Sequence, residues 1–372
     1  MSPPDGRIRL AVVGAGNIAP VNVKGYLEHD RCDVVAVCDP IEEKARRLAD
    51  AWDAPKVFTD LDTLLSDPDI DAVEILTPTH LHHDHVMAAL AAGKHVSCQK
   101  PVANTIEDAR EMEAAAAEHG VTLRISECFR HYPPLVRAKE LITSGAIGPL
   151  TNVRIRTIVG TTDSPFQADL QPEGYIWRLD RRSPGGHLFD DNVHKYAMAL
   201  WLAGQDVTSV QAIVRRRNLF LEPSVAIFEY EEEQLLGSME VSYAPSMSIR
   251  SSYYGADEFF EIQGDEGFIW VTRCTGEMLD LAPVLLFQGR DDGNGSMREI
   301  PVDDADWGTG FDRSAAHFID SLLAGTTPDM TADEAVKVLQ LCFAVYEAGN
   351  TGQRVDPRTI TGSVSPTGWG AW

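Results

Sequence analysis

The first third of the chain alternates short β-branched runs with helical patterns, and this restricts the possible folds more than any other feature. Ile8–Val13 reads as a strand, followed by a glycine turn and a helix to about Glu28. Residues 33–38 form a second run. Residues 42–52 read as a helix, with Ala45, Leu48, Ala49 and Trp52 spaced along one face. Strand, helix and strand patterns recur at 71–76, 85–92 and 95–98. An alanine-rich helix at 105–119, closed by Gly120, leads to a last run at 121–126. Strands alternating with helices form βαβ units, so this stretch predicts a parallel sheet wrapped on both faces.

From about Gly148 the pattern changes. Strand-like runs at 151–159, 207–214, 225–230, 234–243, 259–263 and 268–272 are separated by charged turns such as Glu231-Glu232-Glu233. They predict a large, mostly antiparallel, open-faced sheet in an α+β domain. Helices at 312–323 and 331–347 close the chain. At about 150 residues per domain, the 372 residues suit two domains, expected at 1–126 and 127–372.

Composition narrows the function classes. Lys and Arg total 32 against 56 Asp and Glu, a net charge of -24. Such a surface repels phosphate backbones and anionic lipid, so neither nucleic acid nor membrane is expected as a partner. The six cysteines contain no C-x-x-C pair, which fits reduced thiols and a cytoplasmic location. No apolar run approaches the ~20 residues of a membrane span. The first run lacks a basic flank and ends in a glycine turn, so it reads as a buried strand and not as a signal peptide.

Gly14-Ala15-Gly16-Asn17-Ile18-Ala19 fits G-x-G-x-x-G/A between a strand and a helix. The first glycine permits a tight turn, and the second leaves room for a pyrophosphate. The small last residue lets strand and helix pack closely, and the helix N-terminus offers N–H groups to the anion. Asp39 ends the second strand, 23 residues after Gly16. A carboxylate there accepts from ribose hydroxyls and repels a 2′-phosphate, which points to NAD over NADP. Gly14, Gly16, Asn17, Ile18 and Asp39 are therefore expected to bind NAD in a Rossmann-type domain.

A second run, His80-Leu81-His82-His83-Asp84-His85, matches the H-x-H-x-D-H run of the metallo-β-lactamase superfamily. Zinc would need further distant ligands, and no spacing in the chain singles them out. A plain helical pattern follows, inside the same βαβ run, so no metal is expected.

Four segments together resemble the glucose–fructose oxidoreductase/inositol dehydrogenase/MocA-like (Gfo/Idh/MocA) family. They are the glycine turn, Thr77-Pro78-Thr79-His80-Leu81-His82 with Ala92-Gly93-Lys94-His95-Val96, Gln99-Lys100-Pro101, and Trp177-Arg178 with the run Gly185 to His194. Phe129 to Pro133 is also family-like. The resemblance spans nearly the whole chain. It places Thr77, Pro78, His80, His82, Gln99 and Lys100 beside the cofactor. Gln99 stands where the family has Glu, His187 and Asn192 replace small residues, and Asp191 adds an acid beside Asp190.

Hydride transfer from an alcohol carbon needs a base for the hydroxyl proton. Asp190 and His194 stand at i and i+4 and would share one side of a helix. The resemblance implies that His194 takes the proton while Asp190 holds the substrate. Lys100, just past a strand end, would stabilise the developing alkoxide. Tyr132, Trp177 and Arg178 are the remaining candidates for a polyol pocket. The expected activity is NAD-dependent oxidation of a ring hydroxyl of a sugar, glycoside or cyclitol to a ketone, or its reverse. Two alternatives stay open: redox-neutral glycoside cleavage or epimerisation through a transient keto-sugar, and a catalytically silent NAD-binding sensor. A homo-oligomer, dimer or tetramer, is expected through the C-terminal sheet.

Overall fold

The computed structural model describes residues 6–170, 186–216, 222–289 and 295–363, and they fall into two compact units. The first unit takes residues 6–128 and Gly310–Leu339. Its elements are β1 (Ile8–Val13), α1 (Ala19–Leu27), β2 (Cys32–Cys38), α2 (Glu42–Ala51), β3 (Lys56–Phe58), α3 (Leu61–Leu65), β4 (Ala72–Ile75), α4 (His82–Ala91), β5 (His95–Gln99), α5 (Ile106–His119) and β6 (Leu123–Ser126). The sheet is parallel throughout, in the order β3-β2-β1-β4-β5-β6. The order reverses at β1 and β4. In sheets of this kind ligands bind there, beyond the carboxyl ends of the strands.

Local chemistry sets both ends of α5. The Thr105 side chain caps α5 by accepting from the Asp108 N–H, and Gly120 ends the helix at φ 64°, a conformation that costs glycine little. Helix α4 begins at His82, earlier than the expected residue 85, so most of the histidine run is helical. The short edge strand β3 and the one-turn α3 are additions to the sequence reading. Neither is long enough to show a period.

A polar seam crosses the core of this unit. Glu74, Ser97 and Arg124 lie side by side on β4, β5 and β6, and all three are buried. Arg124 donates to Ser97 Oγ at 3.1 Å, to the Ser314 carbonyl at 2.8 Å and to the Tyr26 hydroxyl at 3.2 Å. The Tyr26 hydroxyl donates to Glu74 at 2.6 Å. Burial pushes the Glu74 carboxyl up, while Arg124, Ser97 and Tyr26 pull it back toward the charged form.

The second unit holds the other described residues. It contains α6 (Pro133–Thr143), β7 (Leu150–Thr161), α7 (Pro165–Ala168), α8 (His187–Asp190), α9 (Val193–Ala203), β8 (Val207–Val214), β9 (Ser224–Tyr230), β10 (Leu236–Ser248), β11 (Ala256–Gly264), β12 (Gly267–Val271), β13 (Val284–Gln288) and β14 (Ser296–Ile300). Eight strands run in the order β14-β13-β12-β11-β7-β10-β9-β8. The neighbours are antiparallel except β7 and β10, which are parallel. The large, mostly antiparallel sheet expected from sequence is therefore present, with β13 and β14 extending one edge.

Helix α9 packs on β7. On β9 the residues alternate, Ala226 and Phe228 inward, Val225 and Ile227 outward. Ile213, Leu236 and Met297 are exposed as well. Two closing helices follow, α10 (Trp307–Ala324) and α11 (Ala332–Thr351). Ala315, Phe318 and Ile319 of α10 belong to the core of the first unit, among Leu10, Val12 and Tyr26. Among the described residues, no helix is long and apolar enough to cross a membrane.

Candidate active site

The nucleotide end of the first unit is built where β1 gives way to α1. Gly14 has φ 103°, and a Cβ there would come within 2.9 Å of the Leu76 carbonyl. Only glycine satisfies both conditions. At Gly16 a Cβ would meet nothing within 4 Å, so the backbone borders open space. No side chain caps the N-terminus of α1, which leaves a helix end available to an anion. Asp39 holds the turn, its carboxylate accepting from the Ala15 N–H at 2.9 Å and the Ile41 N–H at 2.9 Å. Each oxygen keeps lone-pair capacity for a ribose hydroxyl. Asn17 and Ile18 are half-buried on the same turn. These residues fit a dinucleotide.

The strand ends beyond β4 and β5 carry the other cofactor candidates. Thr77, Pro78 and His80 are half-buried in the segment between β4 and α4. His82 is buried, and its Nδ1 and Nε2 lie 2.8 Å from the carbonyls of Pro101 and Thr77. It ties the two loops together. Burial pulls its pKa down to about 4, against the two carbonyls, which favour the protonated ring. The Thr77 hydroxyl pairs with His85 at 3.1 Å, and His83 faces Glu111 at 3.0 Å. His82 and His85 thus share Thr77, at its carbonyl and its hydroxyl, while His83 turns to Glu111. Gln99 donates to Asn22 Oδ1 at 3.0 Å and accepts the Lys100 N–H at 2.8 Å. Asn22 in turn donates to the Ile18 carbonyl at 3.1 Å, so α1 and the Lys100 loop share one buried chain of amides.

In the second unit, Asp190 ends α8 and His194 lies in the first turn of α9, separated by a short turn. Both are buried. His194 stacks on Phe129, with ring centroids 4.5 Å apart and planes 6° from parallel. Lys195 is fully buried and reaches Asp191 at 2.8 Å and Glu258 at 3.2 Å. Burial opposes its charge, but the two carboxylates outweigh it and hold the ammonium well above its usual range. Tyr132 is fully buried, and its hydroxyl donates to the carbonyls of Arg273 and Ala305 at 3.4 and 3.3 Å. The structure places it in packing. Trp177 and Arg178 lie outside the described residues.

Comparison with known proteins finds a family model for each of two stretches of the chain. Residues 8–127 match the family model described as an oxidoreductase family with an NAD-binding Rossmann fold. Residues 139–356 match the C-terminal α/β domain of the same family. The chain belongs to the Gfo/Idh/MocA family. It is an oxidoreductase, and NAD is its cofactor.

Among Gfo/Idh/MocA relatives, a 1,5-anhydro-D-fructose reductase from Ensifer adhaerens is 27% identical over 94% of this chain and 99% of its own length. A scyllo-inositol 2-dehydrogenase (NAD(+)) from Bacillus subtilis is 26% identical over 94% of this chain and 96% of its own. A crystal structure of an oxidoreductase from Agrobacterium radiobacter with NAD+, L-tartaric acid and magnesium shares the fold. Its TM-score is 0.80 at 21% identity, covering 95% of this chain and 99% of that one.

Against the Gfo/Idh/MocA pattern, two of the departures around Asp190 bond to one another. Asn192 donates to His187 Nδ1 at 3.0 Å and to the His187 carbonyl at 3.2 Å. That leaves the proton of a neutral His187 on Nε2, which faces Asp191 at 3.5 Å. Asp191 therefore joins His187 to the buried Lys195. Sequence reasoning missed Lys195, Glu258 and Asn22. Only the parallel spacing of Asp191 and Lys195, again i and i+4, could have suggested one of these contacts.

Proposed function

We propose that this protein oxidises a ring CH–OH of a sugar, glycoside or cyclitol to a ketone, or runs the reverse reaction. The reading is carried by one observation: a buried Asp190 and a His194 stacked on Phe129, in a chain whose other unit holds an NAD turn. Bound NAD supplies the hydride acceptor. His194 takes the hydroxyl proton on a ring nitrogen, as a positioned general base. Its stack on Phe129 fixes the ring plane, so the proton is received in one orientation. Asp190 accepts from a substrate hydroxyl and holds it in place. Lys100 donates to the oxygen as it gains charge. Substrate class follows the relatives, a reductase of an anhydro-sugar and an inositol dehydrogenase.

A substrate with deuterium on the oxidised carbon tests the chemistry. Net oxidation carries the label onto nicotinamide, in step with ketone formation. Label returned to a sugar product without net NADH would instead indicate redox-neutral turnover.

Asp39 is the proposed discriminator between NAD and NADP. Asp39→Asn keeps the acceptor for Ala15 while removing the charge. The ratio of kcat/KM for NAD over NADP should fall about tenfold, ~1.4 kcal/mol, as measured with both cofactors. An unchanged ratio would remove Asp39 from that role.

The outward row of Ile213, Val225 and Ile227, with Ile227 50% exposed, is the proposed contact between copies of this chain. Strand faces that stay apolar on both sides need a second cover. Ile227→Asp should shift the protein toward the monomer in light scattering. A monomeric wild type would overturn this assignment.

A further inference from the structure

We infer that Glu222 is a positioning residue for the turn that carries Asp190 and His194. The inference rests on the assignment of those two residues to the reaction. Glu222 is fully buried. One carboxylate oxygen accepts from the Leu188 N–H at 3.1 Å and from the Tyr346 hydroxyl at 2.8 Å. The other accepts from Arg216 at 3.3 Å. The carboxylate also fills the place of a missing side chain. Gly186 has φ 83°, and a Cβ built there would overlap the Glu222 carboxylate.

A buried carboxylate costs several kcal/mol unless it is well partnered, so a residue needed only for volume would be apolar. Here the carboxylate takes, besides Tyr346 and Arg216, a backbone N–H in the first turn of α8, two residues before Asp190. Burial pushes the Glu222 carboxyl up, while Tyr346, Leu188 and Arg216 favour its charged form. Helix α11 braces the same turn. Cys342 Sγ lies 3.6 Å from the Leu188 carbonyl, and Phe343 stacks on Phe189 at 6.0 Å. The backbone of Leu188 is thus held at both its N–H and its C=O. Glycine at 186 and glutamate at 222 form a matched pair, each shaped to the other, 36 positions apart in the chain.

Four variants test this: Glu222→Ala, Glu222→Gln, Gly186→Ala and the double Gly186→Ala/Glu222→Ala. A displacement of about 1 Å at reacting groups can cost ~100-fold in rate. Glu222→Ala should therefore lose roughly 30- to 100-fold in kcat, with NAD affinity unchanged. Glu222→Gln keeps an oxygen for Leu188 and Tyr346 and should recover to within about tenfold of wild type. Gly186→Ala alone should lose as much as Glu222→Ala. In the double variant the Cβ occupies the vacated space while the left-handed φ of 83° still strains it, so the loss should be clearly less than the product of the two single losses.

Losses that multiply in the double variant, or wild-type kcat in Glu222→Ala, would overturn the assignment. If wild type turned over no sugar, the ring resonances of His187 and His194 in 15N-histidine-labelled protein would still report the turn. Glu222→Ala should shift both and Glu222→Gln should restore them, whereas unmoved resonances would refute the positioning role. A silent wild type with this pattern would count against the proposed reaction and not against Glu222.

Discussion

Lys100→Met is expected to reduce NADH formation about 1000-fold while the protein still binds NAD. Lys100 is half-buried immediately after β5, beyond the strand ends where open parallel sheets place their ligands. Its backbone N–H is held by Gln99, which is tied through Asn22 to the nucleotide helix. The ammonium is proposed to meet the substrate oxygen as it becomes negative. Such a donor contributes most in the transition state, so its loss should appear in kcat more than in KM. The check is steady-state kinetics beside NAD titration by fluorescence. Loss of NAD affinity matching the loss of rate would make Lys100 a cofactor ligand only. Unchanged turnover would remove it from the reaction altogether.

Arg124→Met should cost the first unit about 3–5 kcal/mol, the largest stability effect expected at any single position here. The guanidinium is buried against Ser97, Ser314 and Tyr26, and it lies over the Phe318 ring at 4.9 Å. It is also the cation that offsets Glu74, and removing it strands a carboxyl that is fully buried. The penalty comes from a buried carboxyl left without its counter-charge more than from the lost bonds. Glu74→Leu combined with Arg124→Met should therefore recover part of the loss, because both buried charges go together and the groups that lose partners, the Tyr26 and Ser97 hydroxyls among them, are neutral. Urea unfolding of the two variants decides this. Equal destabilisation by the single and double changes would contradict the account.

The nucleotide unit is legible in sequence because its physics is local. Buried parallel strands read as continuous apolar runs, as in Leu10 to Val13, and the glycine turn and Asp39 lie within one βαβ unit. The polar seam was not legible for the opposite reason. In β6, Leu123 and Ile125 alternate with Arg124 and Ser126, the pattern of a half-exposed strand, yet all four are buried. Arg124 finds its partners on β5, α1 and α10, which no local window contains.

In the second unit the strand runs were readable but their order was not. Strand β7 pairs with β10 and β11, about 85 and 105 residues later. The edge strand β14, with its mostly exposed Ser296-Met297-Arg298-Glu299, carries no buried face to announce it. The same limit applies at the candidate site. Asp190 and His194 stand four residues apart in a glycine-led run, whereas Lys195 reaches Glu258 on β11 and Leu188 reaches Glu222 only once the chain has folded.

The most direct test of the central claim is the appearance of reduced nicotinamide absorbance across a panel of sugars, glycosides and inositols, with NAD and NADP in parallel. The account predicts NADH formation with NAD on one structurally related group of polyols, and much weaker formation with NADP. No NADH from any polyol, in protein shown to bind NAD, would contradict the proposed net oxidation of a ring hydroxyl.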